Sequence, residues 1–239
     1  MIDLKSKTLF TVISLLSPLM LSAEVFADSN ANPTSVETPV TANFTAPTNG
    51  GVNPTPPNPV TPNPDGSIPS TPGNKPLDPN TSFAIAYIPA SFNFGSTEIN
   101  SSGELNVSTP TANNKTFNVG VKNNRHTADG WTLTASLTGD LATNYGAQIK
   151  TKTTANSVNI NNGNQGMIAA PAGTVTNTAD YVINSSASPI MQQAKGKIQS
   201  GTFDLSLGDS VTLNIPDAST LQAGNYNGTV TWNLASVPM

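Results

Sequence analysis

From Thr81 onward the apolar residues recur at every second position, and that period excludes most folds. Phe83-Ala84-Ile85-Ala86-Tyr87-Ile88 and Ser91-Phe92-Asn93-Phe94 open the pattern. Glu104-Leu105-Asn106-Val107-Ser108 follows, and Thr116-Phe117-Asn118-Val119-Gly120-Val121 alternates cleanly. Further strands are predicted over residues 131–138, 147–150, 157–160, 180–183, 202–207, 210–215 and 225–234, with Gly, Asn, Asp or Pro between them. No window carries a 3.6-residue apolar period. The pattern predicts an all-β fold, an antiparallel β-sandwich over residues 81–239, and about 160 residues suffice to bury two inner faces. Residues 161–201 fit least well and are predicted as long loops or one short helix.

Alternation also assigns faces, because side chains two apart on a strand point the same way. Trp131 shares a side with Leu133, Ala135 and Leu137, while Thr132, Thr134, Ser136 and Thr138 take the other. In the last strand Trp232 joins Val230 and Leu234, opposite Thr229, Thr231 and Asn233. These are the chain's two tryptophans. Both lie on the apolar face, so both are predicted to anchor the core rather than to form a sugar-stacking platform.

Ahead of the alternating region the composition changes twice. Residues 1–27 read as a secretory signal peptide: Lys5 and Lys7 precede an apolar run over 9–21, and Val25-Phe26-Ala27 supplies small residues at the cleavage positions. The run contains Pro18 and falls short of a membrane span, so no span is expected after cleavage. Residues 28–80 hold thirteen of the chain's twenty prolines, mixed with Thr, Asn and Gly. Proline removes backbone donors and holds its predecessor extended, and the segment has little apolar surface to bury. It is predicted to be a disordered, Pro-rich spacer.

The residues narrow the chemistry mainly by exclusion. The chain has no cysteine, which removes disulfides, thiolate nucleophiles, Cys-bound zinc and a lipidated anchor. Its few Lys and Arg are scattered, unlike the basic patch that nucleic acid requires. His126 is the single histidine, in a polar loop with Arg125 and Asp129, and no serine sits in a nucleophile elbow. Asp204 with Asp209 lacks calcium-loop spacing. Neither Glu98 with Glu104 nor Asp129 with Asp140 is marked as a glycosidase pair. No catalytic residue, metal site or cofactor is expected. Five residues follow Leu234 with no sorting motif or apolar tail, so any surface attachment is expected to be non-covalent.

Trp131-Thr132-Leu133 and Trp232-Asn233-Leu234, the two Trp-x-Leu motifs, together with three further segments, resemble the WxL family of Gram-positive bacterial surface proteins. Ile88-Pro89-Ala90-Ser91-Phe92-Asn93-Phe94-Gly95 looks like the family's opening segment. Val119-Gly120-Val121-Lys122-Asn123-Asn124-Arg125 is similar to its central block, and Ala223-Gly224-Asn225-Tyr226 leads into its C-terminal signature. The resemblance implies a secreted protein held non-covalently on the cell wall, with peptidoglycan or another wall polymer as ligand and companion surface proteins nearby. It makes Arg125, Asn123 and Tyr226 the candidate ligand contacts, beside the motif residues Trp131, Leu133, Trp232 and Leu234. The central block often carries Asp where this chain has Asn123; if that acid touches ligand, binding here is weaker or altered. Two alternatives stand beside wall binding. In one the domain docks on a membrane- or wall-anchored partner protein, since Asn- and Thr-rich edge strands suit β-augmentation. In the other it is a wall hydrolase, against which the missing acid–base pair speaks.

Overall fold

The computed structural model describes residues 37–48, 50–61, 64, 66, 71–99 and 103–239. The predicted leader, and residues 28–36 of the predicted spacer, lie outside the described residues. The chain divides into two units, Met1–Asn43 and Phe44–Met239. Of the first, residues 37–43 are described; they are exposed and carry no regular structure.

The second unit is built of strands. In chain order these are β1 (Asn74–Pro76), β2 (Phe83–Pro89), β3 (Leu105–Ser108), β4 (Phe117–Asn123) and β5 (Gly130–Gly139). A short helix α1 (Asp140–Tyr145) leads to β6 (Gln148–Lys150), β7 (Asn159–Asn161), β8 (Met167–Ala169), β9 (Val175–Asn177) and β10 (Val182–Ile183). The series closes with β11 (Ser188–Gln193), β12 (Gly201–Gly208), β13 (Thr212–Ile215) and β14 (Gly228–Val237). They form three antiparallel sheets, ordered β1-β2-β4-β12-β7-β8, β10-β6-β13-β3 and β14-β5-β11-β9. The first and third face one another: Trp131 of β5 and Phe203 of β12 lie 5.7 Å apart between ring centroids. Ile149, Leu213 and Ile215 of the second sheet add to the same core.

The predicted alternation is visible strand by strand. Along β4, Phe117, Val119 and Val121 face the core; along β12, Phe203, Leu205 and Leu207 do. All of β4 is nonetheless buried, its polar residues included. Something covers its outer side, and that cover is the Pro-rich segment.

Residues 50–58 run across the outer face of the six-stranded sheet, antiparallel to β4, as a strap. Asn124 Nδ2 donates to Gly50 O at 2.6 Å, and Lys122 Nζ donates to Gly51 O, Asn53 Oδ1 and Pro79 O at 3.0, 2.8 and 3.2 Å. Further along, Asn161 Nδ2 donates to Thr55 O at 2.8 Å and Asn74 Nδ2 to Pro57 O at 2.6 Å. The physical logic is one of matching deficits. A proline-rich segment has more carbonyls than N–H groups, so it cannot join a ladder as an equal partner, but it can be gripped by side chains that only donate. Past the strap, Pro59 bridges to Asn74 of β1, which pairs in turn with β2.

The boundary expected at Thr81 is therefore too late: residues 50–60 and 73–76 are packed and hydrogen-bonded parts of the fold, not spacer. Three other expectations also change. Residues 91–94 alternate but form no strand; Phe92 instead packs edge-on against Phe117 at 5.1 Å. The stretch 161–201 holds four strands, β8 to β11, with one 3₁₀ turn at Gly163–Gln165. Helix α1 is six residues long, too short to show a period, and it ends at Gly146 in the left-handed conformation that glycine favours.

Candidate functional site

The two motif strands are adjacent. β14 pairs with β5 over ten residues without a bulge, from Gly228 opposite Gly139 to Val237 opposite Gly130. Their tryptophans differ. Trp131 and Leu133, on the inner strand β5, are both 0% exposed, whereas Trp232 and Leu234, on the outermost strand β14, are half-buried. Each Trp points inward, but of the two strands only β5 is flanked on both sides among the described residues.

Trp131 begins a chain of hydrogen bonds that ends at the surface. Its Nε1 donates to Gln193 Oε1 at 2.8 Å, which also accepts Asn123 Nδ2 at 3.3 Å. Asn123 Oδ1 accepts Arg125 Nε at 2.9 Å, and Arg125 Nη1 donates to Ser236 Oγ at 2.6 Å. Both ends of the Asn123 amide are thus in use. A carboxylate there could accept from Arg125 but could not donate to Gln193, and this is a physical reason for Asn at that position.

Arg125 is fixed from three sides. Its guanidinium lies 3.8 Å from the centroid of the Phe83 ring, a cation–π contact. Burial lowers its pKa, and the Asp129 charge works the other way. Asp129 itself is engaged by Thr127 Oγ1 and the Met239 N–H. Among the described residues the ion pairs are Lys150–Glu104 and Lys152–Asp209, so Arg125 has no carboxylate at ion-pair distance. Its Nη2 is buried without a hydrogen-bond partner.

Tyr226 does not share this corner. Its hydroxyl donates to Gln222 O at 2.9 Å, and its ring meets Tyr145 edge-on at 5.9 Å, beside the Gly228 end of β14. Ser236 lies at the other end, eight residues on, or about 27 Å at strand rise. Of the candidate contacts, Arg125 and Asn123 are brought together and Tyr226 is set apart. His126 lies in the left-handed region, exposed at the surface. Among the described residues no group of three His, Cys, Asp or Glu could hold a metal ion, and no helix is long and apolar enough to cross a membrane.

A second polar network went unpredicted. Beneath the strap, Tyr87 Oη donates to Asp204 Oδ1 at 2.8 Å, and Asn118 Nδ2 reaches both carboxylate oxygens at 3.1 and 2.9 Å. Gly120 leaves room for the Tyr87 ring: a Cβ there would lie 2.3 Å from it. Asp204 is 2% exposed, and burial pushes its pKa up to about 6 despite these donors. Lys122, on the same face, turns its ammonium to the strap instead. Alternation placed Asp204 opposite Phe203 and Leu205, but nothing local showed that this side was covered.

The raised value has a definite sign. In the unfolded chain Asp204 loses its proton near pH 4; in the fold it keeps it to about pH 6. Between these values the fold binds more protons, so stability falls as pH rises and then levels off. The loss expected is about 2 kcal/mol between pH 4 and pH 7, absent in Asp204→Asn. Urea midpoints for both chains at pH 4, 5 and 7 test it. Parallel profiles would mean that Asp204 titrates normally.

The family comparison fits this geometry. The model for WxL domains, described as surface cell wall-binding, matches residues 31–238. The chain belongs to the WxL family. The match begins well before Thr81 and takes in the strap along with the sheets. No curated protein matches the chain. Membership places this WxL domain at the cell surface, in a family defined by wall binding rather than by catalysis.

Proposed function

We propose that this WxL domain holds its protein to the Gram-positive wall by binding peptidoglycan directly, without a covalent link and without turnover, and that Arg125 is its principal polar contact. The observation that carries the reading is the state of Arg125: a cation held rigid by Phe83, Asn123 and Ser236, with no carboxylate paired to it. Wall peptides offer carboxylates, and a preorganised guanidinium recognises such groups at little entropic cost. Trp131 and Leu133 are fully buried and so serve the fold, while Asn123 positions the arginine from below.

The test is a pull-down of the chain from residue 28 on protein-free sacculi. Arg125→Gln is expected to bind about tenfold more weakly, the value of one charge-assisted contact, with its fold confirmed by thermal melt. Lys115→Gln, an exposed change just before β4, should bind normally. Equal binding by wild type and Arg125→Gln would place the contact elsewhere. No binding to bare sacculi, with binding to intact cells, would make a partner protein the ligand. Release of soluble wall fragments would reinstate a hydrolase.

A further inference from the structure

The sheets end unequally. At the outer positions of the three sheets, β1, β8 and β9 have three residues each, β10 has two and β3 has four. β14, also outermost, has ten. Short edges are one of the standard protections against unwanted pairing; charge, proline and bulges are others. Among the described residues β14 has none of these. Gly-Thr-Val-Thr-Trp-Asn-Leu-Ala-Ser-Val carries no charge and no proline, and its register with β5 is unbroken.

Hydrogen-bond direction shows what that edge offers. Leu137 N–H is taken by Asn184 O, away from β14, so the even residues of β5 turn toward β14. Thr231, opposite Ser136, therefore bonds inward, in line with Thr138 Oγ1 reaching Thr229 O and Thr134 Oγ1 reaching Asn233 O. The N–H and C=O groups of Val230, Trp232 and Leu234 point away from β5, to an edge that no strand covers among the described residues. The same three residues hold half-buried side chains on the inner face, where the neighbouring Trp131, Leu133 and Ala135 are covered. An added strand would satisfy the first set and shelter the second.

We propose that the occupant is a second copy of this chain, its β14 paired antiparallel to the first about a two-fold axis at Trp232. The strand is self-complementary in that register. Trp232 meets Trp232, Val230 meets Leu234 of the second copy, and Thr231 meets Asn233, so every inner side chain stays on the inner face. With no charge on the strand, nothing is repelled. The result is one continuous eight-stranded sheet with the two half-covered tryptophans packed together at its centre.

Light scattering across a dilution series tests the assembly, and paired variants test the register. The chain from residue 28 should pass from one-chain to two-chain mass between about 1 and 500 μM. Thr231 and Asn233 are exposed and face away from the core, so both can change without touching the fold. Thr231→Lys with Asn233→Lys sets lysines directly opposite one another and should give a monomer with an unchanged melt. Thr231→Lys with Asn233→Asp restores opposite charges at both contacts and should restore the dimer. Because the chain has no cysteine, single changes report cleanly. Thr231→Cys mixed with Asn233→Cys should form an inter-chain disulfide, since a non-hydrogen-bonded pair sets its Cα atoms within bridging distance. A monomer at every concentration, or a dimer that survives the two lysines, overturns the proposal. Capture of a strand from a different protein by a monomeric domain overturns it equally.

Discussion

Asn74→Ala is expected to lower the unfolding free energy by about 3–5 kcal/mol, as much as the loss of a large core side chain. Asn74 is 0% exposed and supplies three well-formed bonds: it donates to Pro57 O at 2.6 Å and to Thr116 O at 3.1 Å, and accepts Asn118 N–H at 2.7 Å. Alanine removes one side chain and takes a partner from three groups beneath the strap, of which Thr116 O keeps a longer bond from Asn58 Nδ2 at 3.4 Å. Each unsatisfied buried group costs about 1–3 kcal/mol, less whatever relaxation or an entering water recovers. Lys75→Ala is the internal control: its side chain is exposed, and a change of under about 0.5 kcal/mol is expected. Urea denaturation followed by tryptophan fluorescence measures both. Equal midpoints for the two variants would show that the strap is dispensable and that the fold does begin near Thr81.

That experiment bears on how much of this fold its sequence discloses. Alternation is a property of one strand at a time, and it located β2, β4, β5, β12 and β14 because each presents apolar residues to one side. It says nothing about what lies over the other side. Asp204, Asn118 and Lys122 fall on that other side, where the strap seals them in. The strap itself was read from its prolines, which exclude it from a ladder but not from being held by Lys122, Asn124 and Asn161. β11 was missed for a related reason. Pro189 looks like a strand breaker, yet it sits opposite Thr134 beside a register shift, where no N–H is needed. Of the candidate site, Arg125 and Asn123 were legible from the motif around them. Phe83 and Ser236, which hold the guanidinium, come from strands distant in sequence and left no local signal.

The two tryptophans give the sharpest separation of motif from position. Their local sequences are nearly interchangeable, and alternation put both in the core. Trp131→Ala is expected to cost about 3–5 kcal/mol: it opens a cavity beside Phe203 and removes the indole from Gln193, so the Asn123–Arg125 relay loses its inner anchor. Trp232→Ala is expected to cost only about 1–2 kcal/mol, because a half-buried ring on an outermost strand gives up less contact and water already reaches its site. Chemical denaturation followed by far-ultraviolet circular dichroism avoids relying on the residue removed. It should be run dilute, below the range in which two chains would pair, so that an effect of Trp232 on association does not enter the midpoint. Equal losses would mean that β14 is covered in solution as fully as β5. A large gap would mean that the shared motif names two different roles, one a core anchor and the other a side chain left half open at the edge of its sheet.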